Sequence, residues 1–231
     1  MDELKLGPIT LRNRLVLKGF EILDRRFEIK EILDEEVFTK LAPTHLGIFS
    51  CFGGITFFIF LMQIMTGLLL MIYYVPDTQS AHKSVVAITN DIPFGWAVRG
   101  LHFWGANLMV LTVMIHMGKI YFGGIYKAPR EMNWVTGVAL FLLTMGFSFT
   151  GYLLPWTQLS YWATVIATEA PGAMPVVGPL TKSLMLGGPD VSQVTLSRFF
   201  TLHVMVLPAA TFGLLIAHFL QIRRQGISGP M

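Results

Sequence analysis

LHFWGANLMVLTVMIH, Leu101 to His116, runs sixteen residues without a charge and carries a histidine near each end. His102 and His116 are fourteen residues apart. At about 1.5 Å per residue that is roughly 21 Å along a helix, most of the apolar thickness of a bilayer. At about 100° per residue, fourteen steps fall about 40° short of four turns, so both imidazoles share one face. A later apolar stretch, Thr201 to His218, repeats the arrangement with His203 and His218. Hydrogen bonding in a packed interior is the plain explanation for one buried histidine. Two matching pairs would bury four imidazoles, which is costly unless they have partners. The spacing therefore predicts two helices that face each other across a site for two stacked cofactors.

The composition sets the class. Of 231 residues, 53% are hydrophobic and 13% charged, against about 25% charged in soluble domains. This predicts an all-α, polytopic membrane four-helix bundle with one membrane domain. Four apolar spans are expected at about 46–75, 97–118, 132–154 and 199–222, each long enough to cross a bilayer. Pro208 should kink the last of them. Ahead of the spans, residues 1–26 form a polar extension with no assigned structure. They lack the apolar core of a cleaved signal peptide. Residues 27–231 form the membrane domain. It opens with an amphipathic helix, Phe27 to Phe38, lying on the membrane surface or packed in solvent against a partner. The long connection from Pro155 to Ser197, rich in Trp, Tyr, Gly and Pro, suits short interfacial helices.

Basic residues orient the bundle. Segment 1–45 carries eight of the seventeen Lys and Arg residues. Lys119, Lys127 and Arg130 lie in the second loop on that side, and Arg223 and Arg224 in the tail. The opposite side has only Lys83, Arg99, Lys182 and Arg198. Both termini are therefore expected on the cytoplasmic, electrically negative side. His102 then faces His203 near the positive side, and His116 faces His218 near the negative side. With charge clustered by loop and a net formal charge of only +3, nucleic acid is not an expected partner.

Two imidazoles at each level, with no Cys or carboxylate beside them, suit haem iron with both axial positions filled. A zinc site would need further protein ligands. Gly53 and Gly67 in the first span, and Gly137 and Gly151 in the third, repeat the fourteen-residue spacing. Glycine leaves slots for a flat macrocycle, and it also lets membrane helices pack closely. Arg99 and Arg198 stand at the positive-side end, where topology disfavours cations. Haem propionates would give them partners, and snorkelling to the interface would equally account for them. Cys51 is the single cysteine, so no intrachain disulfide can form. Read alone, it is a small buried hydrophobe.

From about Phe27 onward the chain resembles the cytochrome b6 family, the N-terminal half of a split cytochrome b. The resemblance needs no gap. It is carried by FSCFGGIT at Phe49–Thr56, the glycine and histidine grid, KAPREMNWVTGV at Lys127–Val138, TGYLLPW at Thr150–Trp156 and QGISGP at Gln225–Pro230. The resemblance implies two b-type haems, the lower-potential one on His102 and His203 and the higher-potential one on His116 and His218. It also implies a third haem, of the c_i type, attached to Cys51 through one thioether bond. It makes Arg99 a propionate partner and sets Arg223 and Glu36 near the third haem and a quinone-reduction site. His203 and His218 are fifteen residues apart, as in the b6 branch, where the mitochondrial type uses fourteen. The sequence departs from the family at Phe103, where Arg is common, and at Thr157 within PWTQ. About sixteen extra N-terminal residues precede it. These departures favour a bacterial cytoplasmic membrane over a thylakoid.

The resemblance further implies quinol and quinone as substrates and a dimeric complex with several partners. These are a companion subunit holding the C-terminal half, subunit IV-like, a Rieske iron–sulfur protein, a c-type cytochrome or equivalent, small membrane subunits and lipid. The Pro-Glu-Trp-Tyr motif of quinol oxidation does not occur here; in split families it belongs to the companion subunit. Two other functions share part of the pattern. A dihaem anchor of a dehydrogenase or hydrogenase would have the histidines but no use for Cys51 or the spaced glycines. A proton-coupled transporter would use histidines as relays without haem.

Overall fold

The computed structural model describes residues 4–6, 9–27, 30 and 47–225. Contacts divide the chain into two compact units, Met1–Gly47 and Ile48–Met231.

In the first unit, β1 (Leu4–Leu6) pairs antiparallel with β2 (Ile9–Leu11), and α1 follows at Arg14–Phe27. The Asn13 side chain accepts from the Leu15 amide at 3.0 Å, starting the helix. The helix is amphipathic: Leu17 is buried, while Leu15, Lys18 and Ile22 are exposed. This helix ends at Phe27, where the expected amphipathic helix, Phe27–Phe38, was to begin. Apart from Phe27 and Lys30, the expected segment lies outside the described residues. The three-residue strands are a small departure from an all-α chain. Both features were hidden by the mixed polarity of residues 1–26.

Among the described residues, the second unit contains four helical passages long and apolar enough to cross a membrane: Ile48–Met71, Gly95–Phe122, Glu131–Leu153 and Gln193–Gln225. They match the four expected spans, with shifted ends. The first begins with a 3-10 turn, Ile48–Cys51, that leads into α2 (Phe52–Met71). A short helix, α3 (Ala81–Asn90), joins it to α4 (Gly95–Phe122). Lys119, expected to close the second span, instead stands in its last turn, where a cation favours the helix C-terminus. The third span is α5 (Glu131–Leu153).

The long connection folds as expected into short helices, α6 (Gln158–Gly172) and α7 (Gly178–Leu186). Thr157 and Ser160 form a capping box at the start of α6. A second box, from Ser192 and Thr195, starts α8 (Gln193–Thr201) six residues ahead of the expected fourth span. A π turn, Leu202–Val206, passes the chain into α9 (Leu207–Gln225). It is marked by the Leu207 amide donating to the Leu202 carbonyl, five residues back. Pro208 follows directly. Its lack of an N–H is accommodated by this wide turn.

Packing holds these passages in two antiparallel pairs, α2 against α4 and α5 against α9. A buried cluster of Leu153, Leu186, Leu196 and Phe199 joins the ends of α5, α7 and α8. Tyr74 closes this end by donating to the Leu154 carbonyl at 2.6 Å, and burial pushes its phenol pKa up. Gln193 ties the loop after α2 to α8: its Oε1 accepts from the Thr78 amide, and its Nε2 donates to the Pro76 carbonyl. At the other end Gln225 donates to the Pro129 carbonyl, and Arg130 donates to the Gln225 carbonyl. Mid-bundle, Ile59, Phe60 and Met109 are buried against Phe147 and Leu215. Even so, only 11 to 22% of the residues in each span's most apolar window are buried within the chain. An apolar surface of that extent needs lipid, cofactor or partner against it.

Candidate functional site

The four histidines stand at two levels. At the first, the His102 and His203 rings have centroids 6.4 Å apart and planes inclined at 74°. At the second, His116 and His218 lie near each other and are half-buried. α4 carries His102 and His116; the π turn carries His203 and α9 carries His218. Fifteen α-helical steps would overshoot four turns by about 60°. A π turn takes up one extra residue, leaving the pair about 40° short of four turns, as on α4.

Each expected glycine lies against one of these imidazoles. A Cβ built at Gly151 would meet His203 Cε1 at 2.6 Å, and one at Gly53 would meet His116 Cε1 at 2.9 Å. At Gly67 the distance to His102 is 3.3 Å, and at Gly137 the distance to His218 is 3.6 Å. The spaced glycines are thus the slots for the histidine rings.

Three threonines with no expected role in the site hold three of the rings in place. Thr66 Oγ1 donates to the Met62 carbonyl at 2.8 Å and lies 2.9 Å from His102 Nδ1. Thr150 Oγ1 donates to the Gly146 carbonyl and lies 3.1 Å from His203 Nδ1. Thr136 Oγ1 lies 3.2 Å from His218 Nδ1 and donates to the Asn133 carbonyl or to Gln221 Oε1. With each hydroxyl proton committed elsewhere, the oxygen accepts from Nδ1–H. That leaves the Nε2 lone pair to face the opposite helix. The signal was in the sequence: Thr precedes Gly at 66–67, 136–137 and 150–151.

This arrangement fits haem iron. Two imidazoles on opposite sides of a metal, with metal–nitrogen bonds of about 2 Å, place their centroids roughly 6 Å apart. His102 and His203 already have that separation. Among the described residues no three of His, Cys, Asp and Glu come together; each level offers a pair of imidazoles.

The remaining expected residues are more dispersed. Cys51 is exposed at the end of the 3-10 turn, two residues before the glycine that faces His116. Arg99 is exposed, donates to Thr89 Oγ1 at 3.4 Å and lines a cavity of about 190 Å³ with His82, Asn90 and Pro155. Arg198 is engaged by the end of α7, donating to the Leu184 carbonyl at 2.6 Å, a favourable place for a cation. Arg223 is exposed in the last turn of α9. Glu36 lies outside the described residues.

Four membrane-crossing helices with two levels of paired histidines define a helical membrane cytochrome of the b type. The chain belongs to the cytochrome b/b6 family, whose model, described as cytochrome b/b6/petB, matches residues 37–226; membership implies b-type haem. The chain is 52% identical over 198 residues to cytochrome b6 of Heliobacterium mobile, covering 85% of this chain and 93% of that one. It is 46% identical over 221 residues to the menaquinol:cytochrome c reductase cytochrome b subunit of Geobacillus thermodenitrificans, covering 93% and 99% respectively. Its fold superposes on a chain of a hyperthermophilic respiratory Complex III with a TM-score of 0.84 and 34% identity. That match covers 91% of this chain and 56% of the other, so this chain spans little more than half of that solved relative.

Proposed function

We propose that this chain is the electron-carrying membrane subunit of a quinol-oxidising, proton-translocating Rieske–cytochrome b complex. It links a positive-side quinol-oxidation site to a negative-side quinone site. The observation that carries this reading is the pair of two-imidazole levels, each ring seated on a glycine. The relatives named for menaquinol:cytochrome c reductase and respiratory Complex III support the complex.

Haem iron, when bound, supplies a reversible one-electron couple at each level. His102 and His203 would hold the haem at one level, and His116 and His218 the haem at the other. Gly53, Gly67, Gly137 and Gly151 admit the rings and the macrocycle. The threonines fix the tautomer that presents Nε2. Arg99 and Arg198 compensate propionate charge on the positive side, and Arg223 serves the negative-side quinone site. The partners are a companion subunit with the C-terminal half of cytochrome b, a Rieske protein and a c-type cytochrome or equivalent. Together with small membrane subunits they form a dimeric complex in a bacterial cytoplasmic membrane, with both termini of this chain on the cytoplasmic side.

Reduced-minus-oxidised absorbance of the purified complex tests the haem reading; no α-band of a b-type haem would end it. A third haem on Cys51 has its own test. On a denaturing gel stained for haem, the native polypeptide is expected to retain stain and Cys51→Ala to lose it. Equal staining of both would show that Cys51 is not the attachment point.

A further inference from the structure

Three of the four histidines are tethered and one is not. His102 and His203, which share a level, each place Nδ1 on a threonine hydroxyl, at 2.9 and 3.1 Å. His218 has Thr136 at 3.2 Å. His116 Nδ1 is buried with no hydrogen-bond partner.

The cause is local. A threonine precedes the glycine under each tethered ring, whereas Phe52 precedes Gly53 under His116. The main chain differs there as well. Gln63, Phe147 and Asn133, four residues before the glycines under the tethered rings, stand in α-helices, whereas Phe49, four residues before Gly53, stands in the 3-10 turn ahead of α2.

A hydrogen bond donated by Nδ1–H makes Nε2 a stronger electron donor to a metal. Stronger donation stabilises the oxidised iron and lowers its reduction potential. The His102/His203 level has two such bonds and the His116/His218 level has one. We infer that Thr66 and Thr150 on one level, against Phe52 on the other, set the order of the two haem potentials. The His102/His203 haem is held lower, which favours electron movement toward His116 and His218. This rests on the four histidines being haem ligands, and it assigns the potential difference to named positioning residues.

The test is an optical redox titration of the purified holo-complex, following the two b-haem α-bands separately. Phe52→Thr is expected to lower the His116/His218 potential alone. The reduction equilibrium should change by up to tenfold, about 59 mV for a one-electron couple. Phe52→Leu, which removes the ring without adding a hydroxyl, should leave that potential in place. Thr66→Val should raise the His102/His203 potential alone, and it decides the matter if Phe52→Thr does not assemble. The inference is overturned if haem content is full and neither Phe52→Thr nor Thr66→Val moves its own level. It is also overturned if Phe52→Leu shifts the potential as far as Phe52→Thr does. Absence of both α-bands from the native complex would instead overturn the haem assignment itself.

Discussion

Replacement of His203 by leucine is expected to cut the b-haem content of the purified complex by about half and to abolish quinol oxidation. The ring of His203 lies 6.4 Å, centroid to centroid, from its partner His102 and is held by Thr150. With one of the two imidazoles gone, His102 alone would be left to hold the haem at that level. A pyridine haemochrome assay measures the haem, and redox titration identifies which component has gone. The His116/His218 level uses different side chains, so its α-band should survive. Retention of full haem content in His203→Leu would remove His203 from the ligand set.

Gly151→Ala should be nearly as damaging, although in an ordinary helix the same change would stabilise by about 1 kcal/mol. The added methyl would stand 2.6 Å from His203 Cε1, closer than atoms in contact allow. The ring has little freedom to yield, because its Nδ1 is bonded to the residue next to that glycine. We expect loss of the His102/His203 α-band with helix content unchanged by circular dichroism. Gly137→Ala is the matched comparison: its methyl would meet His218 at 3.6 Å, an ordinary contact, and should leave both bands present. Equal haem loss in the two variants would mean that helix packing, rather than ring clearance, explains the spaced glycines.

Much of this was legible because a membrane imposes simple rules. Apolar runs of the right length marked four spans, and intervals of fourteen residues in three of them and fifteen in the fourth marked the faces that carry glycine or histidine. Capping was less visible. Ser192 and Thr195 start the fourth passage earlier than the hydrophobic run does, because a capping box satisfies helix-end amides whatever the polarity around it. The Thr-Gly pairs were in plain view, but a threonine in an apolar helix is ordinarily satisfied by its own backbone. Only the fold shows the imidazole on its far side. Arg198 was readable as a positive-side cation, but its carbonyl partners on α7 come from a turn the sequence does not announce. The N-terminal unit was the least legible: its helix has the amphipathic periodicity, but charges crowd both of its ends.

The π turn at Leu202–Val206 separates chain length from ligand alignment. Two helices can present histidines on a common face with fourteen residues between them in one and fifteen in the other, provided the surplus residue is stored in one wide turn. Between His203 and His218, a change of one residue in length is then neutral within that turn. Elsewhere it rotates one ligand by about 100° away from its partner.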